Sequence, residues 1–142
     1  MAIVIRSISS YRPRLALRGH ADTVYSVAFV DEPGHYLASG SYDQTVRLWD
    51  LADGRLTQTL YGHAGSVSCL TVAPRHHWLA TGSNDQHVKC WQLALLALLR
   101  RLLAIQRLNL EVQSGAVYSV GFTPDERWLI AGGADSAVRL FD

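Results

Sequence analysis

Apolar and polar residues alternate, or run wholly apolar, in short stretches along most of this chain. Residues 24–29 (VYSVAF), 36–39 (YLAS) and 46–49 (VRLW) are typical. Runs this short, rich in β-branched and aromatic residues, predict strands. Turn chemistry punctuates them. DEPG at 31–34, APR at 73–75 and TPD at 123–125 each carry a proline between runs. SYDQ at 41–44, SNDQ at 83–86 and GADS at 133–136 place an aspartate where its carboxylate bonds nearby backbone amides and fixes a tight hairpin. Residues 55–60 (RLTQTL) supply a fourth run.

The pattern repeats along the chain. LRGH at 17–20 returns as LYGH at 60–63, an offset of 43, and VYSV at 24–27 is answered by VSCL at 67–70. LASGSYDQTVRLWD at 37–50 returns as LATGSNDQHVKCWQ at 79–92, an offset of 42. A third copy, VYSV at 117–120 and LIAGGADSAVRLFD at 129–142, follows the second by 50 residues, so the second connection is about eight residues longer. Self-similarity at this period predicts a repeat architecture in which each copy is one supersecondary unit.

Four strands per unit, a Gly-His start and a Trp-Asp finish resemble the WD-repeat family of β-propellers. The resemblance runs from Leu17 to Asp142 and rests on three copies that share strand pattern, turn and spacing. It implies an all-β fold: a propeller segment of three four-stranded antiparallel blades in an incomplete ring. It also implies a single domain over 1–142, with repeats at 17–50, 60–92 and 111–142 and a longer connection at 93–110. That connection, leucine-rich, is expected to hold an extended outer strand with an irregular lead-in, because its leucines spread round most of a helical wheel and make no clean amphipathic surface; a helical insertion contacting a partner is the competing reading, from its leucine content and helix formers.

In WD repeats a histidine before the first strand, a serine or threonine on the second, an aspartate in the hairpin and a tryptophan on the third form a buried hydrogen-bonded chain. The matching residues are His20, Ser39, Asp43 and Trp49 in the first copy and His63, Thr81, Asp85 and Trp91 in the second. The chemistry is plain: a buried indole N–H and a buried hydroxyl both need partners. The third copy has Gln113, Ala131 and Phe141 in the corresponding places and retains only Asp135, so its network is expected to be missing. Removing several partners together is nearly neutral, whereas removing one leaves a costly orphan.

Composition narrows the function. Of 142 residues 49% are hydrophobic and 18% charged, with 13 basic against 12 acidic side chains and a formal charge of +1. Such a chain buries a core, and its balanced, scattered charge argues against nucleic acid or anionic lipid as partner. Residues 88–99, the most apolar stretch, contain Lys89 and run into Arg100 and Arg101, which argues against a membrane span. The N-terminus has no secretory pattern, and two cysteines, Cys69 and Cys90, make no disulfide framework; a reducing, cytoplasmic setting is the expectation. On outer strands of one three-strand set they would lie about 10 Å apart at roughly 4.8 Å per strand step, too far for a bond.

As residue types His20, Ser39 and Asp43 match a nucleophilic triad, but their repetition in the second copy favours a scaffold. Lys89, the single lysine, sits in no phosphate loop, and no dinucleotide fingerprint occurs. His76 and His77 read as surface loop residues before they read as a metal pair. No catalytic, cofactor or metal site is therefore expected.

The function implied is binding: a scaffold presenting one propeller face to protein or peptide partners. The alternative is a non-catalytic regulatory or structural fragment of a larger multidomain protein. In the family, contacts come from residues flanking the first valine of strand one and from the residue before the hairpin aspartate. Those positions are Thr23, Tyr25 and Tyr42; Ser66, Ser68 and Asn84; Ala116, Tyr118 and Ala134. Closed propellers have about four to eight blades. Three copies fall short, and two explanations stand equally: a homodimer joined head to tail into a six-bladed ring, or a segment of a longer propeller.

Overall fold

Each copy folds through the same hairpin, set by its aspartate. The Oδ1 atoms of Asp43, Asp85 and Asp135 accept the backbone N–H two residues on, from Thr45, His87 and Ala137, at 3.0, 2.9 and 3.2 Å. This ring closure holds the intervening Gln44, Gln86 and Ser136 in the left-handed region, at φ of 71°, 71° and 60°, a conformation that L-residues adopt only under such constraint. The computed structural model describes residues 1–6, 9, 13–31, 34–96, 101–112 and 115–142.

Among the described residues this gives thirteen strands. A hairpin of β1 (Ala2–Arg6) and β2 (Pro13–Arg18) precedes a four-stranded sheet of β3 (Val24–Phe29), β4 (Tyr36–Ser41), β5 (Val46–Asp50) and β6 (Arg55–Leu60). The second sheet joins β7 (Val67–Ala73), β8 (Trp78–Ser83), β9 (His87–Leu96) and β10 (Arg101–Glu111). The third has three strands, β11 (Val117–Phe122), β12 (Leu129–Gly133) and β13 (Val138–Phe141). Every pairing is antiparallel and links strands adjacent in sequence.

The described residues of the leucine-rich stretch, 93–96 and 101–110, are extended. They continue β9 to Leu96 and return along β10, in a register that runs from Arg101↔Leu96 to Glu111↔His87 and slips once between Gln106 and Leu108. Before the slip Ala104 faces the first sheet; after it Leu108 and Leu110 stand opposite Cys90 and Val88, and Leu110 packs with the third. One irregularity thus lets a single strand serve both neighbours.

Opposed residues on paired strands share a face. In the first sheet Leu37↔Trp49 marks one face and Ala38↔Leu48 the other, and both faces are apolar. The sheets therefore stack. One core cluster joins Tyr36, Ala38, Val46, Leu48 and Leu60 to Leu70, Leu79 and Trp91 of the second sheet. A second joins Ala80, Val88 and Cys90 to Val117, Leu129 and Ala131 of the third. Each fully buried Val or Leu contributes about 1.5–3 kcal/mol. At the outer edge the Gln58 side chain accepts from Ala104 N (2.7 Å) and donates to Ala104 O (3.0 Å), so an amide bridges β6 and β10 as a strand would.

The opening hairpin belongs to the same scheme. Its register (Ile3↔Leu17, Val4↔Ala16, Ile5↔Leu15, Arg6↔Pro13) reproduces that of β5 and β6 at an offset of 43, including the slip after the third pair. Leu17 stands where Leu60 stands and packs with Leu37, Trp49, Ile3 and Ile5 against the first sheet.

Candidate interaction surface

Two sets of residues were singled out by the repeat, and the structure treats them differently. The polar set is interior. In the first sheet Trp49 Nε1–H donates to Ser39 Oγ at 2.8 Å, Ser39 Oγ–H donates to His20 Nε2 at 2.7 Å, and His20 Nδ1–H donates to Asp43 Oδ2 at 2.8 Å. A carboxylate only accepts, which fixes the proton on Nδ1 and leaves Nε2 to receive the hydroxyl. The second sheet repeats this through Trp91, Thr81, His63 and Asp85 at 3.0, 2.8 and 2.7 Å.

The electrostatics agree with neutral imidazoles facing ionised carboxylates. Burial pushes His20 and His63 below the usual histidine value, outweighing the hydrogen bonds to Asp43 and Asp85. For the two aspartates burial acts upward, and hydrogen bonds overcome it. Asp43 is held below the carboxylate range by the Thr45 hydroxyl, His20 and the Ala21 amide, and Asp85 by His63 and the Ala64 amide. Ser39 and Thr81 are fully buried, so neither hydroxyl meets a substrate. Thr45, whose hydroxyl lies 2.6 Å from Asp43 Oδ1, is a member the repeat comparison missed, because His87 stands in its place in the second copy.

The third sheet replaces the network. Asp135 pairs with Arg139 at 2.5 Å and accepts the Ala137 amide, which together hold its carboxyl below the ordinary value. Ala131 and Phe141 fill the other places with apolar packing. Gln113 lies outside the described residues.

The second set lies along one side of the stack, at the same corner of each sheet. A backbone bond ties the residue before each hairpin aspartate to the residue before each first strand: Tyr42 N to Thr23 O (2.8 Å), Asn84 N to Ser66 O (3.0 Å) and Ala134 N to Ala116 O (2.9 Å). The three predicted groups are thus three copies of one corner. In the first, Tyr25 and Tyr42 meet edge to face, with ring centroids 6.2 Å apart at 63°, each 53% exposed. Tyr118 is 62% exposed, and Asn84 and Ala134 are also open. Thr23 is half-buried against Asp22. Ser66 is buried, and Ser68 directs its hydroxyl to the carbonyls of Gly82 (3.2 Å) and Val117, so both serve the joint between sheets more than the open corner.

His76 meets Glu126 of the third sheet at 2.9 Å through Nδ1, and its backbone amide reaches the same carboxylate, which clasps two turns together. Among the described residues no three histidine, cysteine or acidic side chains gather in metal-binding fashion. Cys69 and Cys90 are free and separated by β8; burial raises both thiols, Cys90 to about 11. No helix among the described residues is long and apolar enough to cross a membrane.

Comparison with known proteins agrees with this architecture. The family model described as "WD domain, G-beta repeat" matches residues 11–50, 54–92 and 106–142. Over 58 residues the chain is 41% identical to F-box/WD repeat-containing protein 10 of Mus musculus, covering 41% of this chain and 6% of that protein. Over 62 residues it is 40% identical to Coronin-7 of Mus musculus, covering 44% and 7%. Over 46 residues it is 50% identical to the ribosome biogenesis protein BOP1 homolog of Drosophila virilis, covering 32% and 6%. The matched stretches span less than a tenth of each relative's length.

Proposed function

The chain belongs to the WD-repeat family, and from that premise we propose that it is a scaffold whose tyrosine-bearing corners hold a protein or peptide partner. WD repeats and WD-containing relatives support a protein-interaction role in general. The observation that carries the finer reading is the Tyr25–Tyr42 pair, exposed and locked edge to face on the side of the stack along which the equivalent corners of all three sheets lie. Tyrosine combines a large apolar face with a hydroxyl at low entropic cost, the makeup of a binding hot spot. The setting proposed is cytoplasmic, in keeping with two buried free thiols.

A displayed peptide library selected on the 142-residue chain supplies the probe. Binders that lose affinity at least tenfold on replacement of Tyr25, Tyr42 and Tyr118 by alanine, with an unchanged circular dichroism spectrum, support the assignment. Binding that survives the triple replacement overturns it. A second reading, a non-catalytic segment of a larger propeller protein, is favoured by the apolar faces left open at both ends of the stack. On either reading the ring is completed from outside these three sheets.

A further inference from the structure

Both joints between sheets are built on one interlocking contact. A methyl carbon placed on Gly40 would meet Val67 Cγ1 at 2.8 Å, and one on Gly82 would meet Val117 Cγ1 at 2.6 Å. Val67 and Val117 are wholly buried. In each joint the valine that heads the first strand of one sheet seats in a glycine hollow on the second strand of the sheet before it. Opposite ends of the stack carry the same two pieces unmatched. Gly132, the counterpart of Gly40 and Gly82, has nothing within 4 Å of where its methyl would stand. Val24, the counterpart of Val67 and Val117, is only half-buried.

The neighbouring positions agree. Val138 and Leu140, 72% and 60% exposed, hold in the third sheet the places of Val46 and Leu48 in the first and Val88 and Cys90 in the second, all buried. Val27 and Phe29, 49% and 57% exposed, hold the places of Leu70 and Val72, which pack in the core. Beside the free edge of β13 a groove of about 510 Å³, lined by Trp78, Leu108, Leu110, Leu140 and Phe141 among others, lies where a fourth strand would run.

We propose that these two faces are halves of one interface and that its occupant is a second copy of this chain, stacked head to tail with Val24 of the partner subunit in the hollow at Gly132. A second copy brings the complementary half of each feature, and two copies of three sheets close a ring within the four to eight blades of known propellers. The third-strand place at the junction is claimed twice, by β13 and, through its equivalence to β5, by the partner's β1. Ile3 and Ile5 are only half-buried there, so β1 yields, and β2 then borders β13 as the fourth strand and fills the groove. The proposal deepens the ring-completion part of the preceding reading and leaves the tyrosine corners untouched.

Light scattering on the purified 142-residue chain is expected to give twice 15.7 kDa. Gly132→Leu, placed in open space within one chain, is expected to keep the circular dichroism spectrum while losing the dimer and the concentration dependence of the unfolding midpoint that a dimer confers. Val138→Asp, on the same open face, is expected to do likewise, and removal of residues 1–6 to leave the dimer intact. A monomeric wild type, an open-ended polymer, or a Gly132→Leu chain that still dimerises would overturn the proposal. Peptide binding at Tyr25 and Tyr42 persists in the Gly132→Leu monomer, which separates failure of this interface from failure of the scaffold reading.

Discussion

Removing the hydroxyl of Ser39 tests the buried network more sharply than removing either neighbour. In Ser39→Ala the Trp49 indole N–H loses its acceptor and His20 Nε2 loses its donor, at positions 2.8 and 2.7 Å from the vanished oxygen and closed to water. Each buried unsatisfied group costs about 1–3 kcal/mol, so the pair costs about 2–6 kcal/mol. That is a large part of a small domain's total of about 5–15 kcal/mol. Trp49→Phe removes a donor but leaves Ser39 bonded to His20, and costs about 1–2 kcal/mol. The double replacement Ser39→Ala with Trp49→Phe recreates the Ala131 and Phe141 pair of the third sheet. Its loss should therefore fall short of the sum by about 1–2 kcal/mol. Urea unfolding followed by far-ultraviolet circular dichroism measures all three, since each transition is read against that variant's own folded and unfolded baselines. A Ser39→Ala cost below about 1 kcal/mol, or strict additivity in the double variant, would refute the reasoning.

Three further outcomes are expected. His20 and His63 bind protons more weakly folded than unfolded, so the unfolded chain takes up protons first as pH falls below about 6.5. Stability then declines from pH 7 toward pH 5, and declines further at still lower pH, where Asp43 and Asp85 are forced to protonate; unfolding free energies equal at pH 5 and pH 7 would contradict this. Gly82→Ala forces a methyl within 2.6 Å of Cys69 Sγ and Val117 Cγ1 and should cost about 1–3 kcal/mol, read as a lowered urea midpoint, whereas Gly132→Ala in the monomeric Val138→Asp background should cost far less. Cys69 and Cys90 should react with a thiol reagent at neutral pH only through unfolding, at a rate that rises with urea; rapid labelling of the native chain would show that their burial is breached.

The repeat made the polar network and the hairpins legible, because their chemistry demands particular residues. Asp43, Asp85 and Asp135 close the same turn, and the Ser or Thr at 39 and 81 is bracketed by the same indole and imidazole. Packing places were harder to read, since many apolar residues satisfy them. The β1–β2 hairpin repeats β5–β6 in register, yet only its inward positions, such as Ile3 for Val46 and Leu17 for Leu60, keep an apolar character in common. The leucine run at 93–110 carries no period that selects strand over helix; its length of pairing with β9 decides the matter. Val27 and Phe29 show the opposite failure. Alternation assigns them to a buried face as it does Leu70 and Val72, and they are open because the inner part of that face has no sheet before it.

Pairing only between strands consecutive in sequence has a dynamic consequence. Each sheet closes through local contacts, so one can open without unthreading another. The second sheet is covered by core clusters on both faces, while the first is only partly covered in front and the third is bare behind. In a monomeric chain such as Gly132→Leu, amide hydrogens of β8 and β9 should therefore exchange last and those of β13 among the first, giving a molecule that loosens from its ends toward its middle.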